Sequence, residues 1–112
     1  NGETATLMGH YLRDVEAGTQ AYFFGAPSIY WRFGTMPFMA PQVEGHDVVD
    51  PLEGPDDVAD EITGVVDRGN VFLFLPERSG EVVPVQQAFP GGELLRFYDP
   101  AGRLRFAAYE AP

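Results

Sequence analysis

The stretch NVFLFL, residues Asn70–Leu75, decides the fold class. It is a short apolar run between Gly69 and Pro76, and its only polar residue is the asparagine at its start. A strand that is buried on both faces has this composition, because neither face needs polar side chains. We therefore predict a central strand over Asn70–Leu75, in a sheet that helices cover on both sides.

The rest of the chain alternates between helical and extended patterns. Apolar residues at helical spacing predict four helices, which cover Thr4–Ala17, Pro27–Phe33, Val58–Val66 (after a cap at Asp56 or Asp57) and Val82–Phe89. Apolar and aromatic runs predict further strands over Gln20–Phe24, His46–Val49, Leu94–Tyr98 and Arg103–Tyr109. Gly18 and Gly69 are expected to end the first and third helices. Thr35–Val43, which contains two prolines, is predicted to be an extended connector.

The two closing strands form a predicted antiparallel hairpin. Between them, DPAG at Asp99–Gly102 has proline in its second position and glycine in its last, as a type I turn prefers. Arg103 and Arg105 then alternate with apolar residues. This alternation is typical of a half-solvated edge strand, so we predict that the last strand lies at the edge of the sheet.

These patterns predict the fold class α/β. We expect a three-layer sandwich, with a mainly parallel, Rossmann-like sheet of about five strands and a C-terminal antiparallel hairpin. At 112 residues the chain has the length of a single domain, residues 1–112. It begins with asparagine and carries no targeting pattern, so we expect it to be excised from a longer protein.

Charge and composition exclude several classes of partner. Seventeen acidic residues and seven arginines, with no lysine, give a formal net charge of −10. Nucleic-acid binding needs a cationic face, so nucleic acid is not an expected partner. Without cysteine there is no disulfide, thiolate metal site or cysteine nucleophile. Glycines and prolines interrupt the long segment of low charge, residues 17–43, so we expect no membrane span in this chain.

The turn after the first predicted strand is the candidate ligand-binding site. In doubly wound sheets, ligands bind beyond the carboxyl ends of strands, often where a helix begins. Gly25, Ala26 and Ser28 occupy this place, and Arg32 lies one turn further on. They predict a site for a small ligand or an anion. Because Pro27 has no N–H to donate, a plain strand-to-helix turn is the competing interpretation.

Catalytic and metal-binding patterns are weak in this sequence. Ser28 and Ser79 lack the Gly-x-Ser-x-Gly context of a nucleophile elbow. The best metal candidates are four polar residues of one stretch, Glu44, His46, Asp47 and Asp50. Their spacing matches no zinc or calcium signature, and a solvated acidic face explains them better. We therefore predict no catalytic residue, no metal and no cofactor.

Aromatic and methionine residues are concentrated after Pro27. These residue types are favoured in the cores of protein interfaces. The candidate interface residues are Tyr30, Trp31, Phe33, Met36 and Phe38. The alternative is that this segment folds over the domain's own core, and the residues alone leave both interpretations open.

Six motifs together resemble a known family. They are YLRD at Tyr11–Asp14, YFFGAP at Tyr22–Pro27, FGTMPFMAP at Phe33–Pro41, FLFLPER at Phe72–Arg78, FPGG at Phe89–Gly92 and DPAGRLRFAAYE at Asp99–Glu110. Over most of its length the chain resembles the C-terminal, soluble, extracytoplasmic domain of bacterial membrane glycosyltransferases. These proteins are similar to protein mannosyltransferases and aminoarabinose transferases, the glycosyltransferase family 39-like group.

The resemblance implies a parent enzyme that transfers a sugar from a polyprenyl-phosphate donor. The catalytic acid of such enzymes lies in a loop between membrane helices, so no catalytic residue is carried over to this chain. The domain by itself is then expected not to be an enzyme. Its partners would be the membrane-embedded portion of the same polypeptide and a glycan or protein acceptor, at the extracytoplasmic face of the cell membrane. The alternative is an independent small-ligand or anion-binding α/β module that uses the turn Gly25–Arg32.

Overall fold

Five strands form one mixed sheet in the computed structural model of the chain, which describes residues 2–31, 36–62 and 69–111. The strands are β1 (Gln20–Phe24), β2 (Glu44–Asp47), β3 (Asn70–Phe74), β4 (Glu93–Tyr98) and β5 (Leu104–Ala111). They lie in the order β2-β1-β3-β5-β4. β1 pairs in parallel with β2 and β3, whereas β5 pairs antiparallel with β3 and β4. The predicted α/β class is confirmed, but the sheet is mixed, since half of its strand pairings are antiparallel.

Among the described residues, one helix precedes the first strand, and three more lie between successive strands. They are α1 (Gly2–Arg13), α2 (Met36–Met39), α3 (Pro55–Glu61) and α4 (Val82–Ala88), and a 3-10 segment (Pro76–Glu81) leads into α4. No helix of the described ranges is long and apolar enough to cross a membrane. Predictions for Arg32, Phe33, Val65 and Val66 fall outside the described residues.

Buried side chains form two clusters, one on each face of the sheet. Alternate residues of β3 supply both clusters, because successive side chains of a strand point to opposite faces. The first cluster packs under α1 and α2 and includes Met8, Leu12, Phe23, Trp31, Met36, Leu73 and Phe106. The second packs under α3 and α4 and includes Tyr22, Phe24, Val58, Phe72, Phe74, Val85 and Tyr109. The prediction of a strand covered on both faces is therefore confirmed at Asn70–Phe74.

The first helix is shorter than predicted. It ends at Arg13, well before Gly18. The side-chain amide of Gln42 donates to three carbonyls at and beyond this end, those of Leu12, Arg13 and Val15, at 3.0–3.2 Å. A distant side chain therefore satisfies the carbonyls that a glycine cap would have served.

The predicted helix over Pro27–Phe33 is wrong for its described part. Residues 26–28 form a turn, and Trp31 is drawn towards the sheet, where its backbone N–H donates to Asp47 Oδ1 at 2.7 Å. Its ring covers Gly45 so closely that a β-carbon there would lie 1.9 Å from a ring atom. The predicted extended connector is also wrong, because it contains α2, whose Met36 is fully buried. β2 begins two residues earlier than predicted, where Gly45 leaves room for the tryptophan.

The C-terminal hairpin is confirmed, with one correction. Gly102 donates its N–H to the Asp99 carbonyl at 2.9 Å and has a left-handed φ of 86°, which glycine adopts without strain. However, β5 is an inner strand, and the outer strands are β2 and β4. Its residues 106–109 are all buried, so the arginine alternation does not mark an edge. Instead, the Arg105 guanidinium pairs with Asp99 at 3.1 Å and with Glu3 at 3.3 Å.

Candidate functional site

The candidate site lies where the connections of two neighbouring parallel strands diverge. After β1 the chain passes to α2 on the first face, whereas after β3 it passes to α4 on the second face. Ligand clefts of open α/β sheets form at such switch points, outside the carboxyl ends of the strands. A cavity of about 300 Å³ lies here, lined by residues that include Thr4, Ser28, Ile29, Pro76, Glu77 and Arg105. We call it the switch-point cleft.

The turn after β1 contributes Ser28 to this cleft. The Ser28 hydroxyl donates to Glu77 Oε2 at 2.8 Å, which joins the segments that follow β1 and β3. The backbone N–H of Ile29 is already used, since it donates to the Gly25 carbonyl at 2.9 Å. A β-carbon at Gly25 would lie 2.4 Å from the Phe23 ring, so packing explains this glycine.

Of the three predicted ligand-binding residues that the structure describes, only Ser28 lines the cleft. Gly25 and Ala26 are buried in the turn, and Arg32 lies outside the described residues. The Glu77 carboxylate beside Ser28 would repel an anion. The site therefore stays a prediction, and the geometry favours a ligand that can donate a hydrogen bond to Glu77.

The basic group of the cleft is Arg105, a residue that the sequence interpretation assigned to a solvated edge. Its side chain is 19% exposed, and Asp99 Oδ2 holds its guanidinium at 3.1 Å. The backbone N–H of Arg103 donates to the Asp99 carboxylate and lowers its pKa, and the charges of Arg103 and Arg105 add to this effect. Asp99 therefore stays ionised and holds Arg105 in place. Only the sheet order reveals this arrangement, since it puts β5 next to β3.

A second cavity, of about 440 Å³, lies at the opposite end of the sheet. Its lining includes Tyr11, Asp14, Glu16, Asn70 and Glu110. The Tyr11 hydroxyl donates to Glu110, and burial, followed by this hydrogen bond and the charges of Glu110 and Glu93, raises the pKa of Tyr11. Although this cavity is larger, it lies at the amino ends of β1 and β3. The switch-point cleft is therefore the better candidate for a ligand site.

The predicted interface residues do not form one exposed surface. Trp31 is 7% exposed and Met36 is fully buried, so both belong to the first cluster, and their assignment to a surface is corrected. Tyr30 is half-buried, and Phe33 lies outside the described residues. Phe38, by contrast, is 87% exposed on α2. The described part of this segment thus covers the domain's own core, while its Phe38 ring lies largely in solvent.

The acidic stretch around β2 makes hydrogen bonds within the protein. His46 Nε2 lies 2.7 Å from Gln20 Oε1, and the amide of the same glutamine donates to Glu44 at 3.1 Å. Asp47 accepts the backbone N–H of Trp31. Within residues 2–31, 36–62 and 69–111, no group of three or more acidic or histidine side chains could hold a metal ion.

Sequence interpretation also missed a buried ion pair, which we call the Arg78–Glu81 clip. Glu81 accepts from Arg78 Nε at 2.6 Å and Nη2 at 2.7 Å, and from the backbone N–H of Leu52 at 2.9 Å. Arg78 also donates to the carbonyls of Val48 and Asp50. The clip therefore fastens the loop after β2 to the 3-10 segment. Its partners are backbone groups of a distant loop, so its role is structural.

Comparisons with known proteins found no match for this chain among protein families, curated proteins or solved structures.

Proposed function

We propose that this chain is a noncatalytic accessory domain of a membrane glycosyltransferase that uses a polyprenyl-phosphate sugar. In this proposal the domain lies on the extracytoplasmic side and packs on the membrane-embedded portion of the same polypeptide or assists acceptor recognition. The six motifs that resemble this family support it. Several of their residues hold the fold together, such as Arg78 in FLFLPER and Asp99 and Arg105 in DPAGRLRFAAYE. Residues that stabilise a fold in this way are expected to recur in proteins that have the same fold.

The proposal includes a finer description of that fold. We infer a three-layer, Rossmann-like arrangement in which α1 and α2 form one layer and α3 and α4 the other. Two features support it. The buried clusters lie on opposite faces of the sheet, and the β2-β1-β3 half of the sheet is parallel.

The observation that carries the accessory role is the exposure of Phe38. This ring lies in the motif FGTMPFMAP and is 87% exposed, although a phenylalanine gains about 1.5–3 kcal/mol when it is fully buried. A contact with the membrane-embedded portion would bury it. The net charge of −10 makes an anionic bilayer surface a poor alternative partner.

The test is the replacement Phe38→Ser in the full-length parent protein. We expect the isolated domain to stay folded, while crosslinking between the domain and the membrane portion falls about tenfold or more. Val83→Ser is the matched control, because Val83 is 53% exposed on α4, on the other side of the sheet. Unchanged crosslinking and transferase activity in the Phe38 variant would contradict the proposed contact. A start codon at the position of Asn1, with no membrane spans encoded upstream, would contradict the accessory role itself.

An independent small-ligand module is the second candidate. It is supported by Ser28, which belongs to the predicted turn Gly25–Arg32 and lines the switch-point cleft. This function needs no membrane partner. It would be favoured if the chain were encoded as a separate protein and a small ligand still shifted the NMR signals of the cleft.

A further inference from the structure

The polar groups of the switch-point cleft carry charges of both signs, and they include both donors and acceptors of hydrogen bonds. Glu77 offers acceptor oxygens, Ser28 offers a hydroxyl and Arg105 offers N–H donors. The charge of Arg105 is already compensated, because Asp99 lies 3.1 Å and Glu3 3.3 Å from its guanidinium. An incoming anion would therefore meet three carboxylates, and an incoming cation would meet the guanidinium.

A neutral ligand with hydroxyl groups fits this arrangement best. Each hydroxyl both donates and accepts, so neighbouring hydroxyls could donate to Glu77 and to the Ser28 oxygen and accept from Arg105. The guanidinium is also incompletely satisfied, since its Nε is buried and has no acceptor among the described residues.

Size and apolar lining restrict the ligand further. The cleft holds about 300 Å³, at the lower end of the range of small-molecule sites, which is enough for one small ring. Ile29 and Pro76 line it beside the polar groups and offer surface to the C–H groups of such a ring. A polyhydroxylated ring with apolar faces is the chemistry of a monosaccharide unit.

We propose that the switch-point cleft binds one neutral sugar residue, with Glu77 and the Ser28 oxygen as hydrogen-bond acceptors and Arg105 as donor. The interpretation of this sugar as part of a glycan acceptor rests on the proposed glycosyltransferase function. Binding itself does not, because it depends only on side chains of this chain.

The experiment is an NMR titration of the 112-residue chain with methyl β-D-glucopyranoside. We expect saturable shifts, in the millimolar range, of the backbone amides of Ser28, Ile29, Glu77 and Arg105, and none at Asp14 or Glu110 in the other cavity. Inorganic phosphate and methylammonium are the charged probes and are expected to leave the cleft signals unchanged. Phosphate that saturates the cleft while the glucoside does not would overturn the proposal in favour of an anion site.

The side chains of Glu77 and Ser28 are exposed, so replacing either one tests the proposed sugar contact without disturbing the core. Glu77→Ala should weaken glucoside binding about tenfold, the loss expected for a hydrogen bond to a charged group, and Ser28→Ala, which removes a neutral hydrogen bond, should weaken it about fivefold. Glu16→Ala, an exposed carboxylate of the other cavity, is the matched control and should bind normally. Equal binding by all three variants, or no saturable shift in the unmodified chain, would overturn the sugar site. Neither result bears on the membrane contact of Phe38, so failures of the two proposals are distinguishable.

Discussion

Replacing Glu81 with alanine is expected to destabilise the domain more than any exposed acidic substitution. The change removes the counter-charge of Arg78, whose side chain is 8% exposed and lies 5.2 Å above the ring of Phe24. It also removes the acceptor for the backbone N–H of Leu52. The guanidinium would keep its bonds to the carbonyls of Val48 and Asp50 but would be buried without a carboxylate.

The expected cost follows from this geometry. Loss of one partner of a buried ion pair costs about 3–5 kcal/mol, because an uncompensated charge remains inside. Domains of this size are stable by about 5–15 kcal/mol, so the change removes a large share of the total. Urea unfolding followed by circular dichroism should show this loss of unfolding free energy. Thermal unfolding should show a fall in Tm on the order of 10 °C or more.

Glu77→Ala is the control, because Glu77 is an exposed glutamate in the same 3-10 segment and should cost within about 0.5 kcal/mol. A double-mutant cycle isolates the pair itself. The double variant Arg78→Ala/Glu81→Ala should be about 1–3 kcal/mol more stable than the sum of the single changes predicts. The stabilising role of the Arg78–Glu81 clip would be refuted if the losses of unfolding free energy were additive. It would also be refuted if Glu81→Ala destabilised the domain no more than Glu77→Ala.

Two further perturbations test the packing of the sheet and its hairpin. Gly45→Ala should cost about 1–3 kcal/mol, because a β-carbon would lie 1.9 Å from the Trp31 ring, whereas Gly54→Ala has open space and should be nearly neutral in the same urea assay. The pKa of Asp99 is lowered by the Arg103 N–H, so its ionised form stabilises the fold above the unfolded pKa of about 3.9, and this contribution is lost as the pH falls through the folded pKa. The stability difference between the unmodified chain and Asp99→Asn should therefore shrink as the pH falls below about 4. An Asp99→Asn difference that stays constant with pH would contradict this role.

Local signals predicted the elements that depend on local burial. The bounds of β1 match the prediction, and β3 ends one residue before the predicted Leu75. α4 begins at Val82 as predicted, with Pro84 in its first turn, where the missing N–H costs nothing. These patterns succeed because a strand buried on both faces, or a helix with one buried face, needs the same residue types wherever it is placed.

Other features depend on partners that lie far away in the chain. The end of α1 depends on Gln42, and the burial of Trp31 depends on Gly45. Neither pairing leaves a periodic pattern in the sequence. The candidate site divides in the same way: Ser28 was predicted from its place after a strand, whereas Glu77 and Arg105 join it only through the sheet order.

The sequence by itself determined that this chain has an α/β fold, with apolar strands such as Asn70–Phe74 that are buried on both faces, because the spacing of apolar residues indicates which side chains are buried. Only the tertiary structure decided which strands are neighbours, since pairing depends on contacts between distant segments. That order placed β5 inside the sheet and Arg105 beside the ends of β1 and β3. The chemistry of the cleft is therefore a property of strand order, and no single stretch of the chain contains it.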